Sequence, residues 1–307
     1  MILEVLPLSE FLWKGINPKR STYRKGVMAL WELLVRRSLF VLMILLNWCL
    51  ILTDRNLRTF SQNLSNRFPA KVDICSIDLN SLRKEQSLLA KMIILEDKFD
   101  APEILAGVDL SYKESNCIVA YVALNFKTLE VLECSAIKHK VVFPYIPTFL
   151  AYREGPPILA LLENLEKIDA FPDILMINGH GIAHPRFCGC ASHIGILANI
   201  PTIGIASKFL YGMSSEIPLN EGSYCHVNYR GQRVGVTFLS KKGCKPIIIS
   251  PGHLITLESC LKIAQQSLGG YKFPEPIRLA HKFAQEGKKS VCNITGSFNA
   301  HNGGFSR

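Results

Sequence analysis

One short stretch, residues 173–185, restricts the fold of this chain more than any other. It begins with Ile174-Leu175-Met176-Ile177, a run that is apolar on both faces and therefore predicts a strand buried in the middle of a sheet. The run ends at Asn178, and Gly179 and Gly181 follow. Because open α/β sheets bind ligands at the carboxyl ends of such strands, these three residues are candidates for a site. The alternative is a plain strand-to-helix turn, in which Asn and Gly serve only because they tolerate positive φ.

The elements around this strand predict an α/β fold, a mixed sheet flanked by helices. Three strand-like segments precede it, and the short turns between them are typical of antiparallel hairpins; they are residues 104–112, 117–124 and 129–138. A helix opened by Arg153-Glu154-Gly155-Pro156-Pro157 comes next, and a helix at 189–197 and a strand at 202–206 follow the buried strand. Three antiparallel strands followed by helix, strand, helix and strand is the element order of a ribonuclease-H-like fold, which we predict here.

We expect the main domain to cover residues 78–285. It begins with a predicted helix at 78–98, and its last third holds a predicted hairpin (233–239 with 245–250) and a helix at 256–268. Beyond Glu286 the chain is polar and rich in Gly, Asn and Ser, so residues 286–307 are predicted to be a disordered tail. The 10 cysteines form no regular framework, which is typical of free thiols in a reducing cytoplasm.

Residues 1–77 form a separate amino-terminal extension with an apolar segment at 39–52. This segment is shorter than the roughly 20 residues that a membrane-spanning helix needs. Three interpretations stay open: a short membrane anchor, a helix that docks on an interface or on the core, or a true start codon further downstream. An anchor with the preceding basic residues on the cytoplasmic side would put the main domain outside the cytoplasm. That location would separate the domain from nucleic acid, so the anchor ranks last if the domain acts on nucleic acid. We expect a cytoplasmic, monomeric protein.

A group of polar residues is expected to meet near the end of the buried strand. In a ribonuclease-H-like topology the first strand lies beside it, so Asp109 would approach Asn178, and Glu154 would open the helix between them. Lys208 and His253 also follow strand ends. Phosphodiester hydrolysis uses one or two Mg²⁺ ions held by a few carboxylates, and a lysine or histidine nearby can stabilise charge or move a proton.

Each of these residues also has a structural interpretation. Asp109 could form a buried salt bridge, and Glu154 could favour its helix N-terminus through the dipole. The formal charge of +10 favours a polyanionic partner, either nucleic acid or an anionic membrane surface, without choosing between them.

Several motifs, in order from about residue 78 to 284, resemble the endonuclease V family. They are Gly107-Val108-Asp109-Leu110-Ser111-Tyr112, Pro144-Tyr145-Ile146-Pro147, Tyr152-Arg153-Glu154-Gly155-Pro156, Asn178-Gly179-His180-Gly181-Ile182-Ala183-His184-Pro185-Arg186, Ala191-Ser192-His193-Ile194-Gly195 and Ser250-Pro251-Gly252-His253. The resemblance implies a ribonuclease-H-like fold and a Mg²⁺-dependent endonuclease of DNA repair, with Mn²⁺ as a substitute. Such an enzyme recognises deoxyinosine or a related deaminated base in damaged DNA and nicks the strand at the second phosphodiester on its 3′ side; inosine-containing RNA is a further candidate partner.

The resemblance also implies residue roles. Three residues would bind the metal, namely Asp109, Glu154 and Asn178, and two would act around the scissile phosphate, namely Lys208 and His253. A wedge that fills the gap left by a turned-out base would consist of Pro144, Tyr145, Ile146 and Pro147. Close backbone approach to that base would depend on Gly179 and Gly181.

The chain departs from the family pattern at Asn178, where the family has Asp. An amide oxygen brings no charge, so this departure implies weaker metal binding and a slower or absent nick, with Mn²⁺ rescuing it better than Mg²⁺. The alternative function is a catalytically inactive protein that binds inosine-containing nucleic acid. Because Asn followed by Gly is prone to deamidation, spontaneous conversion of Asn178 to Asp is a further hypothesis.

Overall fold

The computed structural model describes residues 77–166, 171–212, 214 and 216–289. Eight strands lie in these ranges: β1 (Ile104–Lys113), β2 (Asn116–Asn125), β3 (Val131–Lys140), β4 (Ile174–Asn178), β5 (Thr202–Ala206), β6 (Tyr224–Tyr229), β7 (Gln232–Phe238) and β8 (Ile247–His253). The same ranges contain five α-helices: α1 (Leu79–Leu89), α2 (Leu150–Glu166), α3 (Cys190–Ala198), α4 (Leu257–Gln266) and α5 (Glu275–Lys289).

The eight described strands form one mixed sheet in the order β3-β2-β1-β4-β5-β8-β7-β6. β2 runs antiparallel to both of its neighbours, β1 and β3, whereas β1, β4 and β5 run parallel. The central strands β4 and β5 are almost entirely buried, as their apolar runs predict. The predicted mixed sheet flanked by helices is therefore confirmed.

The helix predicted at 78–98 ends early. Asp78 caps α1 by accepting hydrogen bonds from the Asn80 and Ser81 amides, and after Leu89 a single 3₁₀ turn (Ala90–Met92) leads into extended chain. The backbone beyond it pairs instead with the end of β8: the Leu254 N–H donates to the Ile94 carbonyl at 2.7 Å. Tertiary hydrogen bonds thus replace the helical ones that the local pattern predicted.

Helix α2 begins at Leu150, earlier than the opening predicted at residues 153–157, and contains Pro156 and Pro157 in its interior. Prolines at these positions cannot donate to the carbonyls one turn earlier, so the helix lacks two of its own hydrogen bonds there. Because α2 begins at Leu150, Glu154 lies in the second turn of the helix. The interpretation that it serves the helix N-terminus is wrong.

Two elements were missed by the sequence prediction, strand β6 and helix α5. α5 continues past Glu286 to Lys289, so the helix enters the segment assigned to the tail; residues 290–307 lie outside the described ranges. It approaches β1 very closely, because a Cβ added to Gly107 would lie 2.3 Å from the Pro276 carbonyl. The Ser111 hydroxyl also donates to the Ala284 carbonyl at 2.6 Å.

The apolar segment at 39–52, and nearly all of the 1–77 extension, lies outside the described residues. None of the helices in the described ranges is long and apolar enough to span a membrane.

Candidate active site

The two residues that the topology was expected to bring together are in contact. β1 and β4 are in parallel register with Val108 opposite Ile177, so the next residues along, Asp109 and Asn178, are neighbours. The Asn178 Nδ2 donates to Asp109 Oδ1 at 2.9 Å. Asp109 is only 5% exposed. A carboxylate in such a strand needs polar partners, and Asn178 is one of them.

The second partner of Asp109 is His281, which the sequence analysis missed. His281 Nδ1 lies 2.6 Å from Asp109 Oδ2, and its side chain is exposed over more than half of its surface. It is carried by α5, whose position on β1 depends on the close approach at Gly107. No local pattern marks His281, because its role follows only from where this helix packs.

The third acidic residue, Glu154, is buried beside them. Burial raises the pKa of its carboxyl to about 7; the hydrogen bond from Tyr112 opposes this rise, the charge of Asp109 adds to it, and Arg153 lowers it. The Tyr112 hydroxyl donates to Glu154 Oε1 at 2.6 Å. The Arg153 guanidinium lies 4.4 Å from the centre of the Tyr112 ring. Glu154 is therefore oriented by Tyr112 and is near enough to Asp109 for their charges to repel.

These groups fit a hard divalent cation, with one deficiency. Two carboxylates and one amide contain the kind of oxygen atom that such a cation prefers as a ligand. The positive charge of a bound cation would also offset the repulsion between Asp109 and Glu154. In the described ranges no group of three or more His, Cys, Asp and Glu side chains could hold a metal ion. The Asn178 amide now turns its Nδ2 to Asp109, so it could present its oxygen to a cation only after the amide turned over.

Lys208 lies at the same edge of the sheet as Asn178. It follows β5, whose Ile205 is paired with Asn178, and its backbone carbonyl contacts His180 Nε2 at 3.0 Å. Its side chain is exposed. The structure thus places Lys208 beside the loop that carries the glycines after Asn178.

The structure does not bring His253 to this group, so the predicted place for it is wrong. β8 runs antiparallel to β5, and its terminal His253 is paired with Thr202, which is itself in register with Leu175. Leu175 precedes Asn178 by three residues, about 10 Å along a strand. His253 Nδ1 accepts from the Ile94 N–H, and burial lowers the pKa of its ring to about 4. His253 is therefore a neutral histidine that holds structure, and it lies at the opposite ends of the central strands from Asn178.

The chain is also similar to a known protein family. The family model described as Endonuclease V matches residues 87–282. The chain belongs to the endonuclease V family.

Endonuclease V of Dictyoglomus turgidum is 42% identical over 202 residues, which are 66% of this chain and 87% of the relative. Endonuclease V of Thermosipho melanesiensis is 40% identical over 204 residues, which are 66% of this chain and 88% of the relative. Among solved structures, the Streptomyces avermitilis enzyme is 28% identical with a TM-score of 0.64 and covers 73% of this chain and 99% of its own. Endonuclease V of Ciona intestinalis, in complex with a DNA 24mer containing an inosine followed by a ribo-adenosine, is 26% identical with a TM-score of 0.62 and covers 69% and 98%.

The segment expected to form the endonuclease V wedge is a loop before α2 with an exposed tip. Tyr145 is 68% exposed, whereas Ile146 packs against a buried cluster that includes Phe143 and Phe149. The loop therefore presents Tyr145 outward while its neighbours anchor it. Its action on nucleic acid stays a prediction.

Neither of the two glycines after Asn178 has a positive φ, so the alternative of a turn that needs one is wrong, and only Gly181 has a strong steric reason to be glycine. A Cβ on Gly181 would lie 2.0 Å from the Pro251 carbonyl oxygen, and one on Gly179 would lie 3.2 Å from the Cys190 Cβ. Gly181 is thus required for packing against β8. Approach to a bound base is not needed to explain it.

Proposed function

We propose that this chain is a metal-dependent endonuclease of DNA repair that nicks a strand at the second phosphodiester 3′ to deoxyinosine or a related deaminated base. The observation that carries the proposal is the meeting of Asp109 and Asn178 at 2.9 Å beside the buried Glu154, in a member of the endonuclease V family. The proposed nuclease domain begins at residue 78, as predicted, and extends to the end of α5 at Lys289.

In this proposal Asp109, Glu154 and Asn178 hold Mg²⁺, for which Mn²⁺ can substitute. Bound there, the cation would supply the Lewis-acid chemistry that phosphodiester hydrolysis uses. His281 orients Asp109 through the 2.6 Å contact, and Tyr112 orients Glu154. Lys208 stabilises negative charge near the scissile phosphate.

The loop of Pro144, Tyr145, Ile146 and Pro147 is proposed to act as a wedge. Extruding a base costs a few kcal/mol, least for one that is already mispaired, so a side chain that fills the gap favours lesions over normal pairs. The exposure of Tyr145 supports this role. The backbone at Gly179 and Gly181, which the structure keeps free of side chains, is proposed to border the turned-out base.

Asn178 is proposed to weaken the activity. Its Nδ2 donates to Asp109 Oδ1, so the amide already satisfies an oxygen that a cation would need. A cation must break that hydrogen bond and gains no charge from the amide in return. We therefore expect weak Mg²⁺ binding and a slow nick, faster in Mn²⁺.

The same hydrogen bond favours a second function, a catalytically inactive protein that binds inosine-containing nucleic acid. Without metal, the Asn178 amide already donates a hydrogen bond to Asp109 Oδ1, so this oxygen has a partner in the absence of a cation. RNA is a second candidate substrate class, since the Ciona enzyme was captured on a strand with a ribo-adenosine after the inosine. We propose that the protein acts as a cytoplasmic monomer.

The test is a nicking assay on duplexes with one inosine, in Mg²⁺ and in Mn²⁺. It compares the wild type with Asn178→Asp and with Asp109→Ala. A nick at the second phosphodiester that Asp109→Ala abolishes and Asn178→Asp accelerates would support the weakened nuclease. Inosine binding without a nick in the wild type, with a nick gained in Asn178→Asp, would support the binding protein. Equal rates for wild type and Asn178→Asp would refute the proposed effect of the amide.

A further inference from the structure

Polar groups from two other segments converge on one residue at the base of the wedge loop, Thr148. Its carbonyl oxygen contacts Gln86 Nε2 at 3.1 Å, His184 Nε2 at 2.9 Å and Arg186 Nη2 at 3.0 Å. Arg186 Nη2 also donates to Thr148 Oγ1 at 2.7 Å. Since a carbonyl oxygen has two lone pairs, three donors on it exceed what an ordinary turn supplies. We call Gln86, Thr148, His184 and Arg186 the Thr148 clamp.

The donors of the clamp are fixed by one another. Arg186 Nε donates to Gln86 Oε1 at 2.7 Å, and the Arg186 guanidinium lies 4.7 Å from the centre of the Phe149 ring. The Arg186 backbone N–H donates to His184 Nδ1, so the His184 proton is on Nε2, where it points to Thr148. Burial lowers the pKa of His184 to about 3, which keeps the ring neutral in this arrangement.

The backbone of Thr148 needs such support. Its φ is +71°, a left-handed conformation that a β-branched residue rarely adopts. Residues of this kind persist only where the surrounding structure holds them, and they are concentrated at functional sites. The local sequence offers no glycine or asparagine that would favour the turn, so the clamp is what holds it.

We propose that the Thr148 clamp positions Tyr145 for insertion into the nucleic acid, with Gln86 and Arg186 as positioning residues. This inference rests on the proposed function. The clamp joins the wedge loop to residues 184–186, which follow Asn178 in the loop after β4. It also joins both to α1, because Gln86 is 1% exposed and donates to the Cys188 carbonyl at 3.4 Å. Tyr145 is itself exposed and contributes little to holding its own loop.

A positioning role predicts a specific pattern of binding. If Arg186 only contacted phosphates, its loss would weaken binding to every duplex equally. If it positions Tyr145, its loss should weaken binding to an inosine duplex and leave binding to an undamaged duplex nearly unchanged. Gln86 is uncharged, so Gln86→Ala should give the same pattern without any change in charge.

The experiment measures binding to duplexes with and without inosine, in chelator, with 2-aminopurine beside the lesion as a reporter of unstacking. We expect Gln86→Ala and Arg186→Ala to lower the ratio of inosine to undamaged affinity by about 10-fold or more and to reduce the fluorescence rise, as Tyr145→Ala does. Arg83→Ala is the matched control, because Arg83 also lies over the Phe149 ring, at 5.8 Å, but forms no hydrogen bond to Thr148. It should retain the wild-type ratio.

Hydrogen exchange of the peptide spanning residues 143–149 separates the inference from the proposed function. Loss of protection in Gln86→Ala and Arg186→Ala, with an unchanged exchange rate in Arg83→Ala, would support the clamp. It would do so even if the wild type showed no preference for inosine, because the missing preference would refute only the proposed function. Wild-type protection and a wild-type affinity ratio in both clamp variants would overturn the inference. Equal loss of affinity for both duplexes would assign Arg186 to phosphate binding and overturn it as well.

Discussion

Replacing Asn178 by Asp tests how the amide acts on the site. The change places a second carboxylate where Asn178 Nδ2 now donates to Asp109 Oδ1 at 2.9 Å. Two unit charges about 4 Å apart repel by about 4 kcal/mol at an effective dielectric constant near 20, and the variant also loses a hydrogen bond to a charged group, about 1.5–3 kcal/mol. Proton uptake by the pair relieves part of this cost.

We therefore expect Asn178→Asp to lower the metal-free free energy of unfolding by about 3 kcal/mol, as for an uncompensated buried charge. For a domain of about 200 residues this corresponds to a fall of about 6–12 °C in Tm. Saturating Mn²⁺ should restore most of the loss, since about 100-fold excess over Kd contributes about 2.7 kcal/mol. The wild type should gain much less from the same Mn²⁺.

The assay is thermal unfolding of both proteins at pH 8, in chelator and across a Mn²⁺ titration. Asn125→Asp is the matched control, because the Asn125 side-chain oxygen accepts two backbone hydrogen bonds at a surface turn and Asp can do the same. It should show no added response to Mn²⁺. An Asn178→Asp variant as stable as the wild type in chelator, or equal Mn²⁺ shifts for the two proteins, would refute the reasoning.

Three further predictions concern charge and covalent change at the same site. Because the folded-state pKa of Glu154 is raised from 4.5 to about 7, its contribution to metal-free stability is fully present below pH 4.5 and is lost as pH rises through 7. The difference in free energy of unfolding by urea between wild type and Glu154→Gln should therefore change by about 3 kcal/mol between pH 4 and 8. A pH-independent difference would contradict this. Affinity for DNA should fall steeply with salt, and Lys208→Ala should reduce the slope of log K against log salt by about 1; an unchanged slope would remove Lys208 from the phosphate contacts. Asn178 should resist deamidation, because the Gly179 N–H that would have to attack its side chain donates to the Ile205 carbonyl at 2.9 Å; a mass gain of this peptide in aged protein would show otherwise.

The sheet and the Asp109–Asn178 contact could be predicted because both follow from strand order. Alternation, turns and the apolar run at Ile174-Leu175-Met176-Ile177 identify strands, and a ribonuclease-H-like order then places the first beside the fourth. The error at His253 has the opposite cause. A residue at the end of a strand reaches the site only if that strand runs parallel to β4 and β5. β8 is antiparallel to β5, so its last residue lies beside the start of β5.

His281 and Thr148 could not be predicted, since each depends on packing between distant segments. His281 reaches Asp109 only because α5 lies directly on β1 at Gly107, and the periodicity of a helix does not say which strand it packs on. The left-handed φ of Thr148 contradicts its local propensity and is stabilised by donors from residues 86, 184 and 186. Local rules fail at both places because tertiary contacts override them.

The most direct test of the account is Mn²⁺ binding to the folded protein, measured by electron paramagnetic resonance without any substrate. The account predicts that the wild type binds Mn²⁺, that Asp109→Ala and Glu154→Gln each lose this binding, and that Asn178→Asp tightens it by about 10-fold or more, about 1.4 kcal/mol. Glu258→Gln, on the exposed side of α4, should bind as the wild type does. Unchanged Mn²⁺ affinity in Asp109→Ala and Glu154→Gln would contradict the claim that these side chains share one ion.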